Sequence, residues 1–307
     1  MILDLSDDAL EYGRQARAAF GAAGGDDLVV RAQRAPAQRE SLVAPVLDGL
    51  GAWDLDPRAD TDGLEAAAAL CRSAGYWAVP YPLAERLAAP AGSDADGLLV
   101  IGGVRPAAAV AGVEKRWLAV TVDGARSTVT GIGDPRPGFG FVAELQLTPV
   151  DDGGAGDVAL GLVLPCWTLL GMLDRAVELT VAHVNLRRQF GQPLSGFQGV
   201  QFQLTDAEVE RNGLDILAKH ALWSAATDRP EALEDALALR MAAIEAADVV
   251  FRVCHQLHGA VGFCDETTLS WLSRYSQPLR RFPFGLSGTR ELLTRRAGRR
   301  GLTGLYA

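Results

Sequence analysis

The chain has 307 residues, 49% of them apolar and 22% charged, with a formal net charge of −9. That length suggests about two domains and that composition a globular fold, able to bury about three quarters of its unfolded surface without disulfides or metals. The negative charge argues against nucleic-acid and acidic-membrane partners, and four scattered cysteines, at 71, 166, 254 and 264, do not make a disulfide framework.

The first zone, residues 1–92, reads as a helical domain rich in Ala, Leu, Arg and Glu. Its start carries Asp4, Asp7 and Asp8, where a secretory signal would carry positive charge before an apolar run. Ser6 followed by two acids reads as a helix start. Thr61 to Ser73 reads as a second helix with Gly75 as its stop. Pro80 and Pro82 then open a short helix over Leu83 to Ala89.

The second zone, residues 93–165, changes period. Short runs rich in Val, Leu, Ile and Thr occur at Leu98 to Ile101, Trp117 to Val122, Ser127 to Ile132, Phe141 to Leu147 and Val158 to Leu164. Gly and Pro punctuate them, with a turn signal at Asp123-Gly124, so they read as antiparallel strands of a small β domain. The longest apolar stretch, Val158 to Leu173, is broken by Gly161, Pro165 and Gly171 and reads as too short to span a bilayer. The expected location is the cytoplasm.

The third zone, residues 166–307, is helical again. Leu169, Leu170, Leu173, Ala176, Val177, Thr180, Val181 and Val184 repeat at helical spacing, with Gly191 and Pro193 as the stop. Further helices are expected over Phe197 to Ala226, Glu231 to Leu257, Glu266 to Tyr275 and Ser287 to Arg296. Long helices with short connections imply an antiparallel bundle. The expected fold class is α+β, mostly α.

Two segments carry candidate chemistry. The first runs Leu186-Arg187-Arg188-Gln189-Phe190-Gly191-Gln192-Pro193, followed by Phe197-Gln198 and Gln201. Arginines at a helix C-terminus offset its dipole, which is the structural reading. The functional one is an anion-and-ring site, with a guanidinium for phosphate and a phenyl ring for a base. The second runs Gln256-Leu257-His258-Gly259-Ala260-Val261-Gly262-Phe263. Its glycines either cap a helix or let backbone approach a phosphate. Cys254, His255, His258 and Cys264 could suggest a metal, but no second Cys or His pair supports one. His183 reads as packed, Glu178 as a partner of Arg175 or a solvent-facing acid with a replacement base as its functional alternative, Glu266 as a helix start, and Arg295, Arg296, Arg299 and Arg300 as a solvated helix end with CoA phosphate as the alternative.

Together the two segments resemble the acyl-CoA dehydrogenase family, through its Arg-x-x-Phe-Gly…Phe-Gln…Gln and Gln-x-x-Gly-Gly-x-Gly signatures. Family members oxidise the Cα–Cβ bond of an acyl-CoA thioester and pass a hydride to FAD. The resemblance implies that Arg187, Gln189 and Phe190, with Gln256, Gly259 and Ala260, contact the adenine and diphosphate of FAD held mainly by a neighbouring subunit. Ala260 stands where the family usually has Gly.

The departures matter equally. The family's proton-abstracting Glu lies in a Tyr-Glu-Gly-Thr segment late in the bundle, or before the helix that bears the first signature. The corresponding stretches here, Arg281 to Leu286 and Leu160 to Leu164, hold no carboxylate. A weakly acidic α-proton needs a positioned base. The family's Thr-Glu-Pro…Gly-Ser and Ile-Thr-Asn-Gly elements, which hold the flavin ring and thioester, have no counterpart between Asp94 and Val163. The resemblance therefore implies a short, non-catalytic subunit. Its expected partner is a longer catalytic acyl-CoA dehydrogenase subunit, in an α2β2 assembly of the actinobacterial steroid side-chain type, with the acyl-CoA held mainly by that partner. A stand-alone flavoenzyme with an unusual base and a flavin-free structural partner are the alternatives.

Overall fold

The computed structural model describes residues 4–300 apart from 104, 137, 139 and 228, without the side chains of 151, 152, 299 and 300. Among the described residues, the N-terminal helices are α1 (Asp7–Ala22), α2 (Asp27–Arg34), α3 (Arg39–Gly49), α4 (Thr61–Tyr76) and α5 (Leu83–Leu87). The Ser6 hydroxyl caps α1 by accepting from Ala9 N, and Asp60 caps α4 by accepting from Gly63 N. α2 and α3 have no strong sequence signal: neither has a side-chain N-cap, and Pro45 lies inside α3.

The strands are β1 (Gly97–Ile101), β2 (Ala107–Ala108), β3 (Trp117–Thr121), β4 (Ala125–Ile132) and β5 (Ala143–Gly153), in the order β1-β3-β4-β5-β2. The expected all-antiparallel arrangement is corrected at one edge, where β1 pairs parallel to β3. Asp123-Gly124 does turn β3 into β4, with Gly124 at φ 87. Inside α3, the buried Arg39 guanidinium donates to the carbonyls of Pro80, Ala109 and Ala111 and lies over the Phe141 ring. One side chain thus ties the N-terminal helices to the sheet.

The fifth expected strand is not a strand. Val158 to Leu164 belongs to α6 (Ala155–Leu186), a helix of 32 residues. A short apolar run buried on every side carries no period to separate strand from helix. The apolar stretch is therefore also longer than its Gly and Pro residues suggest. α6 meets the length and hydropathy of a membrane span, but 72% of its most apolar window is buried inside the protein. Gly75 is likewise no simple stop: it lies within α4 and faces α6. A Cβ on Gly75 would fall 1.9 Å from the Thr168 carbonyl oxygen, and one on Gly171 the same distance from that of Arg72. These glycines let the two helix backbones touch.

α7 (Gln198–Ala226), α8 (Ala232–His258), α9 (Thr268–Arg281) and α10 (Leu286–Arg300) complete the bundle. α6 packs against α4, α7 and α8. Arg72 of α4 bonds both Asp174 of α6 and Asp215 of α7, at 2.6 Å each, and Arg211 of α7 returns to Asp174 at 2.9 Å. Most of the core is one cluster that runs through all three zones, with Trp117 and Trp167 fully buried.

Candidate functional site

α6 ends at Leu186, one residue before the two arginines, so neither is helical. Arg187 is the C-cap in extended backbone, its N–H bonding the His183 carbonyl at 2.8 Å. Arg188-Gln189 and Gln192-Pro193 then pair as β6 and β7 of a two-residue hairpin. Phe190 and Gly191 form its tip at φ 49 and 84, the left-handed pair a tight hairpin requires. The Phe190 ring is 92% exposed and meets Phe197 edge-on at 6.3 Å. Arg188 donates to the Gly191 carbonyl and so braces its own hairpin. The exposed Arg187 side chain makes no ion pair or hydrogen bond among the described residues.

The second segment closes α8. Gly259 is the C-cap at φ 65, and a Cβ there would meet nothing within 4 Å. Gln256, Gly259 and Ala260 are all exposed. Gly262 is instead buried, pressed against His258 and His255. α6 and α8 run the same way through the bundle, so their C-termini share one end. The rings of His183 and His258 stack there at 4.4 Å, which brings the two segments together. Burial, with Arg187 as a second cause, holds His183 below the ordinary imidazole value. Burial does the same to His255 and His258, so all three favour the neutral imidazole. An unpaired guanidinium, a side-chain amide and open backbone can receive a phosphate group, against the partial negative charge of the two helix C-termini.

An open cleft of about 750 Å³ lies between Arg58, Thr61, Asp123, Ala155 and Arg229, away from both signature segments, and two smaller cavities lie deeper between the zones. One cavity of about 70 Å³ is lined by Arg39, Tyr81, Glu85, Phe141, Met172 and Tyr275, among others. A second, about 60 Å³, has Gly161 and Leu162 on one wall and Phe282 and Pro283 on another. The two stretches that lack a carboxylate therefore face one void, and Glu85 lines both cavities. Burial raises the Glu85 carboxyl above its ordinary value, with Arg39 opposing. Nothing in the residue pattern singles out Glu85, a lone acid in a five-residue helix.

The whole described chain has the fold of acyl-CoA dehydrogenases. It superposes on the Tcur3481–Tcur3483 steroid ACAD variant with a TM-score of 0.77 at 18% identity, over 96% of this chain and 99% of that one. It superposes on the ChsE4-ChsE5 complex from Mycobacterium tuberculosis with a TM-score of 0.73 at 19% identity, over 97% and 99%. At such identities the likeness is one of fold. In sequence, residues 163–302 match the profile of the acyl-CoA dehydrogenase C-terminal domain. The C-terminal half is an acyl-CoA dehydrogenase C-terminal domain. Acyl-CoA dehydrogenase FadE28 of Mycobacterium tuberculosis is 36% identical over 92 residues, 30% of this chain and 27% of that protein. The chain spans from 27% to 54% of the first three curated relatives it matches.

Within this acyl-CoA dehydrogenase domain the other candidates have local roles. Glu178 accepts from the Tyr76 hydroxyl and pairs with Arg175 at 2.9 Å. The Cys254 thiol donates to the Ala176 carbonyl, and His258 Nδ1 lies 2.9 Å from the Cys254 carbonyl. Among the described residues no three His, Cys, Asp or Glu gather as a metal cluster would. Glu266 precedes α9, which starts at Thr268. Arg296 pairs with Glu234 and Arg295 with Glu291, while the side chains of 299 and 300 lie outside the described residues.

Proposed function

We propose that this chain is the half-site subunit of a heteromeric FAD-dependent acyl-CoA dehydrogenase. One observation carries the reading: both signature segments gather on an exposed end of the bundle, while the two cavities lined by the carboxylate-free stretches and by Glu85 hold only about 60 and 70 Å³. A ligand pocket for a flavin ring or acyl thioester needs about 300 Å³ or more. The residues present fit the diphosphate and adenine half of FAD and not the ring half.

FAD, when bound, supplies the hydride acceptor. Arg187 donates charge-assisted hydrogen bonds to its diphosphate. Gln189 and Phe190 present the hairpin tip, with the phenyl ring toward the adenine. Gln256 donates from α8, and Gly259 with Ala260 offers backbone. The catalytic carboxylate, the flavin ring pocket and the acyl-CoA belong to a longer partner subunit in an α2β2 assembly. The names of the two structural neighbours, a steroid ACAD and a two-component complex, support a steroid side-chain CoA ester as the acyl group.

An exposed apolar stripe supports the partner. Phe202, Val209 and Ile216 recur every seven residues along α7, each more than half exposed. That spacing keeps one helix face toward a neighbouring helix. Leu186 beside the hairpin adds to this surface at 81% exposure. The test is acyl-CoA oxidation followed with an electron acceptor and added FAD. The expected result is no turnover by the chain alone and turnover after co-expression with a longer acyl-CoA dehydrogenase chain. Turnover by the chain alone overturns the reading.

A further inference from the structure

α8 offers a second cation to the proposed cofactor face that neither signature contains. Arg252 lies one turn before Gln256, and positions 252, 256 and 259 share an exposed helix face. Its guanidinium has no ion pair or hydrogen bond among the described residues, since the acid one turn earlier, Asp248, pairs with Arg280 instead. Arg252, His255, Gln256, Gly259 and Phe263 line an open pocket of about 440 Å³. Phe263 lies flat on His255 at 4.3 Å with 14° between the planes, yet is 67% exposed. The pocket therefore combines a cation with a largely exposed aromatic ring.

The charge balance favours a cation at this place. A dinucleotide diphosphate carries one negative charge on each phosphate. The pocket lies where α8 ends, and that helix C-terminus contributes about half a negative charge. Burial disfavours the charged form of His255, the histidine that lines the pocket, and Arg188 is committed to its hairpin. Among the residues lining the pocket, Arg252 is the one permanent cation.

We infer that Arg252 is a second phosphate-binding residue of the half-site, and that the Phe263–His255 stack is a platform for the adenine of the same nucleotide. The inference rests on the half-site reading above. It names a nucleoside-diphosphate moiety as what the pocket accepts. A charged hydrogen bond of this kind changes affinity by about tenfold or more.

The experiment uses the co-expressed complex and measures FAD affinity by fluorescence titration, with ADP and adenosine as competitors. Arg252→Ala should weaken FAD and ADP by about tenfold, leave adenosine unchanged and flatten the salt dependence of FAD binding. Arg252→Lys should restore part of the loss. Phe263→Ala should weaken ADP and adenosine alike. If Arg187→Ala weakens FAD while Arg252→Ala changes neither FAD nor ADP, the second cation is refuted and the half-site stands. If adenosine competition survives Phe263→Ala unchanged, the platform is refuted. If FAD affinity ignores Arg187→Ala as well, the half-site reading itself has failed.

Discussion

Substituting Gly171 by Ala tests the seam that positions the proposed half-site. α6 carries Arg187 at its end, and its place is set where it lies backbone-to-backbone on α4. A Cβ at Gly171 would sit 1.9 Å from the Arg72 carbonyl oxygen and 2.9 Å from Tyr76 N. Relief needs roughly an ångström of movement between two packed helices, because backbone cannot swing aside as a side chain can. Overpacking of this kind costs about 3 kcal/mol, the upper end of its usual range. Alanine returns about 1 kcal/mol of helix propensity, so the net loss is about 2 kcal/mol. With an unfolding entropy of about 2.1 cal/mol/K per residue, the midpoint should fall by about 3 °C. Gly213, in the middle of α7 with nothing within 4 Å of a Cβ, is the control. Gly213→Ala should gain up to about 1 kcal/mol from propensity alone. The assay is thermal unfolding of the purified chain by circular dichroism. A Gly171→Ala midpoint equal to or above that of Gly213→Ala would refute the reasoning.

Three further outcomes are expected. Glu85→Gln should stabilise the chain increasingly as pH rises above 4.5, because burial raises the folded-state pKa and wild type loses stability once that carboxyl must ionise; urea midpoints of both forms between pH 4 and pH 8, on the order of the range where a shifted carboxyl titrates, check this, and parallel curves contradict it. Replacing Phe202, Val209 and Ile216 together by Ser should abolish hetero-oligomerisation in light scattering while helical content stays constant, since all three are already exposed; an intact complex would place the interface elsewhere. Arg188→Ala should change FAD affinity less than about threefold, because the Arg188 guanidinium is engaged with the Gly191 carbonyl; a tenfold loss in fluorescence titration would mean that the two arginines exchange roles.

Much of the fold was legible where local chemistry decides it. Ser6 capped α1, and Asp123-Gly124 turned β3 into β4. α7 and α8 lay within a residue of the expected bounds. What stayed hidden depends on contacts far apart in sequence. Val158 to Leu164 has no strand or helix period because α4, β1 and the bundle bury every side of it. Gly75 and Gly171 are ordinary in sequence, and only the α4–α6 approach explains them. The two signature segments were readable, but the His183–His258 stack that joins them crosses about seventy residues. Arginine at two consecutive positions suggested one helical end. The extended backbone at Arg187 and the hairpin at Arg188 separated them instead. Arg252 carried one faint signal, a cation one turn before Gln256 with no acid left to pair it.

The most direct test of the half-site is FAD titration of this chain, of its longer partner and of the two together. The half-site reading predicts tight, saturable binding only in the mixture, with Arg187→Ala in this chain raising Kd by about 10- to 100-fold and leaving the complex assembled. Tight FAD binding by this chain alone, or a mixture indifferent to Arg187→Ala, would contradict it.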